Sequence, residues 1–107
     1  TLGDHLTHLD LRNTSITDKS CLMISKFKNL SKLNIRATKV GDYGINQLLK
    51  MPNLKSINLS ETKISAKSLK SLLVLKSLED LSIWNCQITD TEIQKFKQAK
   101  PLVKVNF

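Results

Sequence analysis

Leu54-Lys55-Ser56-Ile57-Asn58-Leu59-Ser60-Glu61-Thr62-Lys63-Ile64-Ser65 repeats its apolar skeleton up and down the chain. Twenty-four residues upstream the same positions hold Leu30, Leu33, Ile35, Val40 and Gly41, and 24 downstream they hold Leu78, Leu81, Ile83, Ile88 and Thr89. Aligning on Leu6, Leu30, Leu54, Leu78 and Leu102 needs no insertion or deletion. With each of these leucines as position 1, position 4 reads Leu9, Leu33, Ile57, Leu81, Val105 and position 6 reads Leu11, Ile35, Leu59, Ile83, Phe107. Position 11 reads Ile16, Val40, Ile64, Ile88; position 16 reads Cys21, Ile45, Leu69, Ile93. Position 19 is Ile24, Leu48, Leu72, Phe96, and position 22 is Phe27, Met51, Leu75, Ala99. The chain is therefore four full units, 6–29, 30–53, 54–77 and 78–101, with a fifth represented only by a final strand, 102–107.

Each unit carries two periodicities. Positions 4 and 6 alternate as a half-buried strand does, turning positions 3, 5 and 7 to the other face. Positions 11, 16, 19 and 22 have the spacing of a helix packed along one side. Position 12 is Thr17, Gly41, Ser65 and Thr89, all favourable N-cap residues, and Thr89-Asp90-Thr91-Glu92 forms a full capping box. The pattern predicts helices over 18–28, 42–51, 66–76 and 90–99, punctuated by Asn29, Pro52-Asn53, Ser77 and Pro101. One strand and one helix per unit stack into a curved α/β solenoid, with a parallel sheet on the concave face and helices on the convex face.

The consensus L-x-x-L-x-L-x-x-[TC]-x-[IV]-[TGS], followed by three apolar positions, resembles the leucine-rich repeat over essentially the whole chain. The resemblance implies the fold and, more generally, a binding surface. Many such repeats place Asn at position 9, where it ties neighbouring loops together; this chain has Thr14, Thr38, Thr62 and Cys86. A hydroxyl there still bonds local backbone, and a thiol does so weakly. The wording Thr14-Ser15-Ile16-Thr17-Asp18 resembles a bacterial subclass of similar length and also the repeats of F-box substrate receptors. The ending Lys97-Gln98-Ala99-Lys100-Pro101-Leu102-Val103-Lys104-Val105 is similar to the C-terminal close of several such proteins.

The chain has 107 residues, one domain's length, and no apolar run near the roughly 18 residues of a membrane span. It opens at Thr1 without a secretory pattern, which reads as a piece of a longer protein whose upstream signal would be missing. Three glycines leave no room for a glycine-rich phosphate loop. Cys21 and Cys86 both read as inward-facing, about 15 Å apart by strand spacing, against the roughly 7 Å limit for Cα atoms in a disulfide. Two free buried thiols are expected, leaning towards a reducing, cytoplasmic compartment.

Chemistry is sparse. His5, His8 and Asp10 form the one metal-like cluster, with His8 and Asp10 sharing a strand face; they read as a solvated edge, and no metal is expected. There is no strand–G-x-S-x-G–helix element and no nucleophile–base pair, so neither catalysis nor a cofactor is expected. Seventeen Lys+Arg against nine Asp+Glu give +8. Most lysines, such as Lys19, Lys50, Lys67, Lys70, Lys95 and Lys97, fall on the convex side, where only Tyr43 adds an exposed aromatic. Nucleic acid or an anionic surface is thus a secondary expectation.

The concave face is the primary one. Its outward columns are His8, Lys32, Ser56, Asp80, Lys104; then Asp10, Asn34, Asn58, Ser82, Asn106; then Arg12, Arg36, Ser60, Trp84. Tryptophan and arginine dominate interface energetics, so Arg12, Arg36 and Trp84, with Asn34, Asn58 and Asp80, are the expected contact residues for a protein partner. The expected function is a non-catalytic binding or scaffold module. Its rival is the C-terminal targeting part of a larger enzyme or assembly, such as an F-box-type receptor or a bacterial effector. No capping element precedes Leu6–Arg12, so the edge strand would be covered by further protein or by a partner, and it permits end-to-end association of two copies.

Overall fold

The computed structural model describes residues 2–107, with side chains from Asp4 onward; the expectation attached to Thr1 lies outside the described residues. Five short strands, β1 His8–Asp10, β2 Lys32–Asn34, β3 Ser56–Asn58, β4 Asp80–Ser82 and β5 Lys104–Asn106, form one parallel sheet in sequence order. The register is the 24-residue alignment itself: Leu9 pairs with Leu33, Leu33 with Ile57, Ile57 with Leu81 and Leu81 with Val105. Between the strands run α1 Asp18–Ile24, α2 Asp42–Leu48, α3 Ala66–Leu72 and α4 Asp90–Ala99. The chain is an α/β solenoid 42 Å long in its longest dimension.

The apolar columns become the core. Leu30, Ile35, Val40, Ile45, Leu48, Leu54, Leu59, Ile64 and Leu72 are wholly buried, and Leu33, Ile57 and Leu81 join them. Position 9 behaves as its chemistry requires. Thr14, Thr38 and Thr62 donate their hydroxyls to the carbonyls of Leu11, Ile35 and Leu59 in their own turns, at 2.6, 2.8 and 2.7 Å. Cys86 Sγ reaches instead across the unit boundary to the Leu59 carbonyl at 3.1 Å. Both cysteines are free, but Cys86 is half-buried rather than enclosed, because it sits in a turn of the last full unit.

All four helices begin where the N-cap column places them. Three end earlier than expected, at Ile24, Leu48 and Leu72. Beyond them the chain tightens into bonds spanning three residues, such as Phe27 N–H to the Ile24 carbonyl, Met51 to Leu48 and Leu75 to Leu72. A residue three positions on falls on the same face of either turn type, so Met51 and Leu75 stay buried while the α-helix stops. Apolar spacing alone could not tell the two apart.

The last unit departs further. α4 runs ten residues, Ala99 is exposed, and Leu102, expected to lead its column, is 96% exposed with Val103 in the core instead. The cause is a broken ladder. Asn29 donates its side-chain amide to the Asp4 carbonyl, Asn53 to Lys28 at 3.1 Å, and Ser77 its hydroxyl to Pro52 at 2.9 Å. Pro101 occupies the next rung and has nothing to donate. Val103 N–H then bonds back to the Lys100 carbonyl, where Ser31, Lys55 and Glu79 bond across to the previous unit. Phe107, expected inward, is 40% exposed, and the Lys97 ammonium lies 5.1 Å from its ring centroid. At the other end a short 3-10 turn, Leu2–His5, precedes β1.

Candidate functional site

The concave sheet is built by three columns with different tasks. In the middle column, Asp10, Asn34 and Asn58 turn a side-chain oxygen back onto the backbone N–H two residues ahead, that of Arg12, Arg36 and Ser60, at 3.1, 3.1 and 3.0 Å. These are Asx turns, and they hold the start of each loop at a fixed angle to its strand. Unit four has Ser82 there, and Trp84 N–H is held by Ser60 Oγ of the preceding unit at 2.9 Å instead. Immediately after comes a column that no residue type marks out. Asn13, Ala37, Glu61 and Asn85 all have positive φ, between 54° and 58°. Asparagine tolerates that left-handed backbone, whereas alanine and glutamate adopt it only because the stacked units impose it. The N–H groups of Asn13, Ala37 and Glu61 bond to the carbonyls of Arg36, Ser60 and Trp84 in the next unit.

These constraints aim the third column, Arg12, Arg36, Ser60 and Trp84, outward from consecutive turns. Ser60 is buried, leaving a step between Arg36 and the indole of Trp84, which is 53% exposed. Each arginine is fixed at one point: Arg12 Nε lies 3.4 Å from Asp10 Oδ2, and Arg36 Nε lies 3.3 Å from Glu61 Oε2. Their terminal nitrogens have no hydrogen-bond partner among the described residues. Anchored through Nε, the guanidinium presents its outer edge in a preset orientation, the geometry suited to a carboxylate or amide oxygen.

The remaining expected contact residues are placed as follows. Asn34 and Asn58 are half-buried with Oδ1 engaged in the turns, which leaves Nδ2 as the group each can offer. Asp80 accepts from Asn106 Nδ2 at 2.9 Å, and the same amide donates to Ser82 Oγ at 3.0 Å. His8 Nδ1 is 3.0 Å from Thr7 Oγ1, and among the described residues no three His, Cys, Asp or Glu side chains converge as metal ligands would. The described helices include none long and apolar enough to cross a membrane.

A second set of tied side chains lies at the helix starts on the convex side. Asp18 Oδ1 accepts from Gly41 N–H of the next unit at 2.7 Å. Asp42 repeats this on Ser65 N–H at 2.8 Å, and also takes the hydroxyls of Ser65 and Ser68 at 2.6 and 2.5 Å. Partial burial alone would push the Asp42 carboxyl up. The bonds from Ser65 and Ser68, with the charge of Lys67 beyond, outweigh it and hold the group below its ordinary value. Unit three has Ala66 in this place, so Thr89 N–H turns to Glu92 of its own helix at 2.9 Å, and Glu92 N–H bonds Thr89 Oγ1 at 3.2 Å. The Thr89 N–H and hydroxyl on its oxygen, with the charge of Lys95 beyond, hold the Glu92 carboxyl below its ordinary value. Burial, with the nearby negative charge of Asp18, pushes the Cys21 thiol up to about 11, which makes it inert rather than nucleophilic. The recurrence of Asp18, Asp42 and Asp90 one place after the N-cap, interrupted by Ala66, was the available signal for this carboxylate ladder.

Residues 5–25 and 50–73 match the family model described as Leucine Rich repeat. No curated protein matches the chain. Among solved structures it is similar to the leiomodin-1 actin-binding site 2, with 15% identity, a TM-score of 0.77, and coverage of 96% of this chain and 70% of that one. It is also similar to an internalin, inlF, from Listeria monocytogenes, with 18% identity, a TM-score of 0.62, and coverage of 97% of this chain and 35% of that one. The 24-residue columns, the parallel sheet stacked in their register and these likenesses converge on the leucine-rich-repeat fold.

Proposed function

We propose that the chain is a non-catalytic protein-binding module that receives its partner on the concave face, across Arg12, Arg36 and Trp84. The observation that carries this reading is a large, half-exposed indole in line with two guanidinium groups, each pinned at Nε and open at its outer edge. Holding a side chain in place before binding reduces the ordering cost of association, roughly 0.5–1.5 kcal/mol per flexible side chain. Asn34 and Asn58 supply amide donors beside the ridge, and Asp80 a carboxylate. The leiomodin-1 neighbour is named for binding actin, which fits protein binding as a use of this fold and lends no particular partner to this chain. Whether the module stands alone or targets a larger enzyme or assembly, of the F-box or bacterial-effector kind, is decided by what adjoins it in the full reading frame.

The test is affinity capture from the source cell with the intact protein and an Arg36→Ala/Trp84→Ala variant whose circular dichroism is unchanged. A protein retained by the first and lost by the second supports the ridge. Equal retention by both removes the concave face from consideration.

A further inference from the structure

Most carboxylates of this chain are engaged at close range by backbone, hydroxyl, amide and guanidinium groups. Asp18, Asp42 and Glu92 hold helix starts, Asp10 and Glu61 hold arginines, and Asp80 holds Asn106. Among the described residues, the ion pairs within 4 Å join arginine to carboxylate and none involves a lysine, although Lys67 and Lys95 act from further away on Asp42 and Glu92.

The lysine charge borders apolar openings, and at one of them two lysines face each other from neighbouring helices. Between α3 and α4 lies a groove of about 380 Å³ lined by Ala66, Leu69, Lys70, Leu73, Glu92, Lys95 and Phe96. It opens where the Asp ladder stops. Asp18 and Asp42 each tie their unit to the next N-cap, whereas Ala66 contributes only a methyl group, and α4 caps itself. The N-cap backbone differs accordingly: Thr89 sits at φ −79°, ψ 158°, against φ −128° to −122° at the other three. The apolar lining is Leu69, Leu73 and Phe96, and one lysine stands on each wall, Lys70 from α3 and Lys95 from α4. The one carboxylate in the lining, Glu92, has Oε1 occupied by both the N–H and the hydroxyl of Thr89, and it feels the Lys95 charge without an ion pair, which leaves the Lys95 ammonium free to turn to a ligand.

We propose that this groove docks an acidic amphipathic peptide segment of a protein partner, whose apolar side chains enter over Leu69, Leu73 and Phe96 while flanking carboxylates reach Lys70 and Lys95. A second copy of this chain is a poor occupant, because each copy carries +8 and its carboxylates are largely engaged. Nucleic acid would satisfy the lysines and leave the apolar lining unused. The paired requirement, charge at the walls and hydrocarbon between them, selects the amphipathic peptide.

The probe is a 14-residue peptide of Glu and Leu with leucines on one helical face, titrated into isotope-labelled protein and followed by amide chemical shifts. Shifts confined to residues 66–73 and 92–96, with affinity at least tenfold weaker in Lys70→Glu/Lys95→Glu, support the proposal. The Lys70→Gln/Lys95→Gln variant gives an intermediate loss and guards against misfolding of the charge reversal. Replacing leucine by serine in the peptide should abolish the shifts. Equal binding of that serine peptide, shifts spread over the lysines of α1 and α2, or tighter binding of a DNA duplex or phosphatidylglycerol vesicles at the groove would each overturn it. Arg36→Ala/Trp84→Ala should bind the probe unchanged, so this proposal and the concave-face reading fail independently.

Discussion

Between α2 and α3, one carboxylate joins two units: Asp42 receives the Ser65 amide and the hydroxyls of Ser65 and Ser68. Between α3 and α4, Ala66 occupies the same place, Thr89 bonds within its own helix, and a groove opens. The two junctions share strand register and core columns. At the helix starts the difference is the side chain one place after the N-cap: Asp42 ties α2 to the next unit, whereas Ala66 leaves α3 untied beside a groove with its own chemistry. The far ends of α2 and α3 border a smaller groove of about 220 Å³, so the tie is local to the helix starts.

The largest break of this comparison comes from Asp42→Ala. It removes the acceptor of the Ser65 amide and of the hydroxyl of Ser68, a residue only 1% exposed. A loss of about 3 kcal/mol is expected from urea unfolding, since each unsatisfied buried polar group costs about 1–3 kcal/mol. A loss below about 1 kcal/mol would mean that water or a shifted helix satisfies those groups, and the seam would not depend on Asp42.

Gly44→Ala probes the other sealed junction. A Cβ there would stand 2.7 Å from Asp18 Oδ1, 2.9 Å from Cys21 Sγ and 3.0 Å from Val40 Cγ1. All three atoms are fixed, the carboxylate by its bond to Gly41 and the others by burial. Overpacking of this kind costs about 1–3 kcal/mol, and we expect about 2 kcal/mol by thermal denaturation. Ala66→Asp, at the open junction, should be tolerated.

Thr89→Ala should cost about 1 kcal/mol, the ordinary value of an exposed N-cap. It is more telling in combination. If the missing carboxylate is what separates α4 from α3, Ala66→Asp should restore part of the melting temperature lost in Glu92→Ala by recapturing the Thr89 amide. Strict additivity of the two substitutions would instead place the cause of the separation in the packing of Leu73 and Phe96.

Much of this was written in the columns. Leu33, Ile57 and Leu81 gave the sheet register, and Thr17, Gly41, Ser65 and Thr89 marked every helix start, because both rest on contacts that recur in each unit. What escaped has physical reasons. The tight turns after Ile24, Leu48 and Leu72 share the spacing of three with a helix. Leu102 leaves the core because Pro101 cannot supply the rung that Asn29, Asn53 and Ser77 supply. Ala37 and Glu61 carry no sign of a left-handed backbone, since the stacking that forces it is tertiary. On the concave side Arg12, Arg36 and Trp84 were visible as residue types, but the Nε anchors depend on Asp10 and Glu61 being in reach. The groove was hidden because Ala66, at its edge, reads in the sequence as an ordinary helix residue.

Acid titration should separate the junctions by the smallest margin. The folded state holds Asp42 below its ordinary value, so the unfolded chain binds the extra proton first as pH falls. Its contribution is complete above the unfolded carboxylate value of about 3.9 and is lost as pH drops through the lower folded value. The same sign holds for Glu92, but its carboxyl is solvated, so protonation there disturbs a surface cap alone. Urea midpoints measured from pH 6 down to pH 2.5 should fall less steeply in Asp42→Asn than in the parent, and Glu92→Gln should remain close to the parent. Carbon-13 titration of the side-chain carboxyls gives the independent reading: Asp42 should move up towards its ordinary value in Ser65→Ala/Ser68→Ala. If it stays low without those hydroxyls, the Ser65 amide and the Lys67 charge hold it unaided, and the seam between α2 and α3 is a backbone feature that any carboxylate at this position would form.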